Sequence, residues 1–265
     1  MPTFDTPEPI TADITVVVGN LWITAGDGTE TVVEVRPRAE HKDVDVRAAE
    51  AVEVDFAGGR LEIRDPQPSG LGRVIGRKGM IEISVVLPAG SRVHASTGFG
   101  GIRCEGRLGA SEMAASNGSI SVDAVSGSAE LTMGHGWIRA EEIGGNAVVK
   151  STHGALTLGT VAGDLRAKSA HGDITADRVG GSVTARTSHG AVLIGQVETG
   201  TVDAETSYGA LEIGVREGTA AWLDVVSKKG VVRSSLEAAD DPAPTERSVE
   251  IRARSVWGDI LIRRS

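Results

Sequence analysis

Glycine recurs at a fixed interval through the middle of this chain, and that interval restricts the fold more than any other feature. Gly100, Gly118, Gly136, Gly154, Gly172 and Gly190 stand eighteen residues apart. Gly109, Gly127, Gly145, Gly163 and Gly181 bisect the intervals; the register then slips by one and resumes at Gly200, Gly209 and Gly218. Glycine at constant spacing marks turns, because it takes positive φ without steric cost. Two turns per eighteen residues leave two strands of about six or seven residues. Self-similarity at a short fixed period signals stacked repeats.

Between the turns the sequence alternates as half-buried strands do. Behind the first glycine come Ile120/Val122, Leu156/Leu158, Ile174/Ala176, Val192/Ile194 and Leu211/Ile213, with Ser121, Thr157, Thr175, Leu193 and Glu212 between them. The other strand reads Leu165-Arg166-Ala167-Lys168-Ser169, then Val183-Thr184-Ala185-Arg186-Thr187, then Val202-Asp203-Ala204-Glu205-Thr206. Odd positions are apolar or small and even positions are mostly charged or polar, so one face is core and the other meets solvent. The pattern predicts an all-β chain, a β-solenoid with an 18-residue repeat and two short strands per coil, of about nine coils.

Two other repeat folds fail on spacing. A hexapeptide helix needs an aliphatic residue every six, but stepping by six and twelve from Ile174 gives Gly180 and Arg186. The calcium-binding nonapeptide roll needs Gly-Gly-x-Gly-x-Asp turns. Gly144-Gly145-Asn146-Ala147 and Gly180-Gly181-Ser182-Val183 lack the further glycine and the aspartate.

Residues 1–90 are less regular, with strands expected at 14–23, 31–37, 51–63 and 80–87. Gly19-Asn20-Leu21 and Gly59-Arg60-Leu61 read as worn copies of the repeat turn. This is the expected form of a cap, since terminal repeats are atypical. The predicted organisation is an irregular β cap at 1–90 and regular solenoid at 91–265, within one continuous domain closed at its far end by the C-terminal strand. A Pro/Gly-rich loop near residues 65–78 carries Arg73, Arg77 and Lys78 but lacks the Gly-Lys-Ser/Thr ending of a phosphate loop.

Composition agrees with a narrow coil. The chain has 35 Gly but only 3 Phe, 4 Trp and 1 Tyr, too few for a core that leans on aromatic rings. The net charge of -9 makes nucleic acid an unfavourable partner. The single cysteine, Cys104, excludes an internal disulfide and a Cys-based zinc site. No apolar run of the ~18 residues needed for a membrane span occurs, and residues 1–14 lack an apolar export core. The expected location is cytoplasmic.

The run Ile81-Glu82-Ile83-Ser84-Val85-Val86-Leu87-Pro88-Ala89-Gly90-Ser91 leads into Val93-His94-Ala95-Ser96-Thr97 and then into repeated Ser/Thr-x-x-Gly-x-Ile/Leu units. Over residues 19–262 this resembles the bacterial toastrack family of β-strand repeat proteins, also grouped as "putative adhesins". The resemblance implies stacked strands and a part in protein interaction, in some members tied to envelope stress. It brings no catalytic residues.

One column of side chains stands out. His135, His153, His171 and His189 precede the first glycine in four consecutive repeats, with Phe99 and Asn117 before them and Tyr208 after. If each repeat is one coil, these rings stack at strand spacing, about 4.8 Å. Asn and His suit a turn before glycine and flat rings pack well on one another, which favours a structural column. The four histidines are also the only metal-ligand candidates, although nothing supplies the carboxylate or thiolate remainder of a defined site. His135, His153, His171, His189, Tyr208 and Trp137 are the candidate ligand-binding residues.

A second column, Thr97, Ser151, Ser169, Thr187, Thr206, Ser227 and Ser255, places hydroxyls inward three residues before the glycine. Hydrogen bonds to backbone along the edge of the stack explain it better than nucleophilic catalysis, which needs a base oriented by a third group. No catalytic constellation emerges and no cofactor is implied. The expected function is a non-catalytic binding or scaffold protein presenting a rigid, repetitive β face to a protein or small-molecule ligand, as a monomer or small oligomer without membrane insertion. The alternatives are small-molecule or metal sequestration along the histidines, and self-assembly.

Overall fold

The structure, a computed structural model, describes residues 1–66, 79–236 and 247–265. Arg73, Arg77 and Lys78, and most of the acidic, proline-containing insertion after Leu236, lie outside the described residues. The chain divides into two compact units, Met1–Gly127 and Ser128–Ser265.

In the second unit the eighteen-residue spacing is the pairing register. Leu156 opposes Ile174, and Ile174 opposes Val192, in parallel strands. On the other side Leu165 opposes Val183, and Val183 opposes Val202 across the one-residue slip. Each coil is a pair such as Leu165–His171 and Ile174–Val179. Leu165, Ala167, Ile174, Ala176 and Val179 are fully buried, whereas Arg166 and Lys168 are exposed. A strand this short cannot cover a face alone, and stacking buries it.

The two glycine series serve different purposes. Gly172 has φ +147°, and a Cβ there would run into the carbonyl oxygen of Gly154 one coil back. In the bisecting series Gly109, Gly127, Gly145, Gly163 and Gly181, contrary to expectation, do not have positive φ, whereas Gly200 and Gly218 do, at +89° and +73°. Gly181 is not among the positive-φ residues, but its Cβ would strike the Asp164 side chain, which accepts the N–H of Ser182 at 2.8 Å. Close approach, rather than backbone hand, excludes a side chain there.

The order of coils departs from the order of the sequence. Arg247–Trp257 pairs with Gly200–Tyr208 on one side and with Thr219–Ser227 on the other. Ile260–Arg264 likewise lies between Leu211–Val215 and Val232–Ser234. The C-terminal strand therefore does not close the stack as the sequence pattern suggested; among the described residues the coil at 219–234 is the outermost. Burial explains the exchange. Val249, Ile251, Ala253, Ile260 and Ile262 alternate cleanly and are at most 1% exposed. Thr219–Ser227 alternates poorly and leaves Trp222, Leu223 and Val226 exposed. The better core sequence takes the interior position, where its apolar area is covered on both sides.

In the first unit, parallel stacking reaches back to the strand Thr11–Gly26. It pairs with Arg92–Leu108 in register, Leu21 opposite Ile102, and also with Ile81–Pro88. Asn20 accepts the N–H of Gly101 at 3.0 Å, so Gly19-Asn20-Leu21 is a true copy of the repeat turn. Gly59 is not: Glu53–Ala57 and Arg60–Arg64 form an antiparallel hairpin whose two turn residues, Gly58 and Gly59, both have positive φ. One helix, Asp43–Glu50, was not legible in the sequence, being too short for a helical period to show. Its buried Asp45 accepts the N–H of Met80 at 2.9 Å. Cys104 lies in the core of this unit, where burial first and the charge of Asp123 second push its thiol far up.

Candidate ligand-binding edge

The turn at the first glycine series creates an edge built from three ladders. Residues one position before the glycine are exposed, and parallel pairing without offset places them directly above one another: His135, His153, His171, His189 and Tyr208. Their rings stack with centroids 4.7, 4.8, 4.8 and 4.9 Å apart and planes within 8° of parallel. Trp257 continues the column beyond Tyr208 at 6.5 Å and 6°. The Lys229 ammonium lies 5.9 Å from the Trp257 ring centroid. The column thus ends in a cation–π contact, supplied by the coil whose own turn reads Lys229-Gly230.

Lys229-Gly230 and Trp257-Gly258 read in the sequence as looser copies of this turn. Lys229 and Trp257 each precede a glycine, as the rest of the column does, but their adjacency depends on the exchanged coil order. Trp137 is exposed at 47% and stands outside the ring column, two residues beyond His135 and one before the buried Ile138. In the first unit the equivalent position pairs Phe99 with Asn117 and with Val18.

Hydroxyls form the second ladder, just inside the rings. Thr187 donates to the carbonyl of Gly172 at 3.1 Å, Thr206 to that of Gly190 at 2.9 Å, and Ser255 to that of Gly209 at 3.2 Å. Ser227 donates to Gly258 at 2.8 Å. Each hydroxyl ties its coil to the turn of the neighbouring one. With their protons committed to carbonyl oxygens, these hydroxyls are not set on an imidazole for attack. Ser151 and Ser169, in the same column, have buried hydroxyl oxygens without a hydrogen-bond partner.

The third ladder uses short polar side chains at the turns. Asp173 accepts the N–H of Ala191 at 2.8 Å, and Asp259 accepts that of Val231 at 2.8 Å. Turn amides are satisfied in this way from one coil to the next.

The ring geometry bears on metal binding. An ion held about 2.0–2.1 Å from two nitrogens needs them at most about 4.2 Å apart. Parallel imidazoles in register keep equivalent nitrogens near the 4.7–4.8 Å ring spacing, with lone pairs running side by side. Neighbouring histidines would have to turn out of the stack to share an ion. Among the described residues no three His, Cys, Asp or Glu side chains are grouped to hold one.

Stacked coils in strict register, locked by side-chain ladders along a half-exposed edge, define a β-strand repeat frame. The chain belongs to the Toastrack DUF4097 family, whose model matches residues 14–242. No curated protein matches it. Among solved structures it is similar to a "putative adhesin" from Bacteroides fragilis at 12% identity and TM-score 0.43, covering 98% of this chain and 95% of that one. A "putative adhesin" from Parabacteroides distasonis matches at 13% identity and TM-score 0.31, covering 98% and 95%. A "putative cell adhesion protein" from Clostridium sporogenes matches at 12% identity and TM-score 0.23, covering 100% and 98%.

Proposed function

We propose that this protein is a non-catalytic binding or scaffold protein that presents a rigid, repeating β face to a partner. The observation that carries the reading is the registered stack of His135, His153, His171, His189 and Tyr208, which repeats one set of surface groups every 4.7–4.9 Å. A surface held by three ladders loses little conformational entropy on binding, which favours affinity without a deep pocket. Capture of partners from the source cells by wild-type protein and by a Lys168→Glu/Arg186→Glu/Tyr208→Ala variant, compared by mass spectrometry, tests it. Partners retained by the wild type and lost by the folded variant support the reading. Identical captured sets would refute it.

A second reading, self-association, has its own observation. Among the described residues the free edge of Thr219–Ser227 has no strand partner, and Trp222, Leu223, Val226, Val231 and Val232 are exposed on this coil. Pairing of two such ends about a two-fold axis would cover them and stop there, giving a closed dimer rather than a filament. Sedimentation equilibrium of the wild type against Trp222→Lys/Val226→Lys decides: a dimer lost in the variant supports it, and a wild-type monomer at all concentrations removes it.

A further inference from the structure

Beside the ring column, the second unit carries a groove of about 400 Å³. Its floor is the outward face of successive coils, from Lys168 through Arg186 and Ser188, then Glu205 and Ser207, then Arg254 and Val256, to Val226 and Lys228, with the inward-facing Ser169 at its margin. It therefore crosses five coils, about 19 Å at strand spacing. Lys168, Arg186, Arg254 and Lys228 give it an excess of positive charge over the single Glu205, in a chain whose net charge is -9.

The cations divide into two kinds. Arg186 pairs with Asp203 at 2.6 Å and with Glu205 at 3.4 Å. Arg254 grips Asp224 through two hydrogen bonds, which hold that carboxyl below the usual carboxylate range. Lys168 and Lys228, one at each end of the groove, are exposed and have no carboxylate within ion-pair distance among the described residues. Ser188 and Ser207 face outward between them, and the buried Ser169 hydroxyl at one end has no hydrogen-bond partner.

We propose that this groove binds a linear anionic glycan, lying along the coil axis with acid groups on Lys168 and Lys228 and sugar hydroxyls on Ser188 and Ser207. The proposal rests on the binding reading above and names the partner's class. Two other polymers fit the groove less well. An extended peptide advances about 3.3 Å per residue and so runs out of step with strand spacing. It gains most of its affinity from a free sheet edge, whereas the backbone of these strands is already paired from coil to coil. Single-stranded nucleic acid needs ring faces to stack its bases. The groove has none, and the neighbouring column turns ring edges outward because each face is taken by the next ring.

Isothermal titration calorimetry of the full chain with oligogalacturonate, a sulfated oligosaccharide, neutral oligogalactose and oligoglutamate is the test. Oligogalacturonate or the sulfated glycan should bind, the first pointing to a carboxylated source and the second to a sulfated one; the neutral sugar and oligoglutamate should not. Lys168→Glu with Lys228→Glu should weaken glycan binding at least about tenfold, the loss expected from two partly exposed charge contacts. Arg139→Glu, a charge reversal in the same unit but outside the groove, should leave it unchanged. Binding of neither acidic glycan, binding that ignores the lysine pair, or equal binding of oligoglutamate would overturn the proposal. Failure here with partners still lost in the capture experiment removes only the glycan; failure of both removes the binding reading itself.

Discussion

Trp257 lies over Tyr208 with ring planes 6° apart, although the whole coil at 219–234 separates them in sequence. The last strands of the chain have been drawn into the stack, and the Lys229 turn that precedes them in sequence sits outside. A double-mutant cycle in urea should give a coupling of about 0.5–1.5 kcal/mol between Tyr208→Ala and Trp257→Ala. The cycle between Tyr208→Ala and Lys229→Ala should give almost none. Coupling of Tyr208 to Lys229 instead would restore the sequential order of coils.

The alternation predicts opposite responses at adjacent positions. Ile174 is fully buried between Leu156 and Val192, and Thr175 points outward between Thr157 and Leu193. Ile174→Asp should cost about 4 kcal/mol or more, by lost packing and a buried carboxylate. Thr175→Asp should cost less than about 1 kcal/mol. Equal losses in urea titration would place the strand in the wrong register.

Much of this was legible because the repeat repeats its chemistry. The eighteen-residue glycines named the register, and His135 through Tyr208 named the exposed column, since parallel in-register strands leave no other place for them. What escaped notice depended on competition between segments. Nothing local to Trp257 says that Val249, Ile251 and Ile262 will displace Leu223 and Val232 from the interior. That outcome follows from comparing apolar burial across the two coils. The helix Asp43–Glu50 escaped because eight residues among strands carry no readable period. Gly59 was misread because a tight hairpin and a coil turn both call for glycine.

Gly172 tests the role of the first glycine series. Alanine there meets both an unfavourable φ and the Gly154 carbonyl. Gly172→Ala should cost about 2 kcal/mol and should loosen the Thr187 hydroxyl contact to Gly172, seen as faster amide exchange in both adjoining coils. An unchanged melting curve would mean that the turn can re-form with a side chain present.

Cys104 should be chemically silent in the folded state. It is fully buried against Met113, and burial raises its thiol well above the range in which thiolate forms at neutral pH. A disulfide reagent should label it only after denaturant unfolds the first unit. Rapid stoichiometric labelling of native protein would contradict the packing of that core.

The central claim is that the histidine column is a ladder supporting a binding frame, and not a metal site. It is tested most directly by the melting temperatures of wild-type protein and His153→Asn/His171→Asn, each with and without zinc. The account predicts no zinc-dependent rise for either protein, and a melting temperature for the variant close to wild type, because Asn117 already occupies the equivalent turn position. A rise with zinc in the wild type that disappears in the variant would show metal bound to the native column by linkage, and would contradict it.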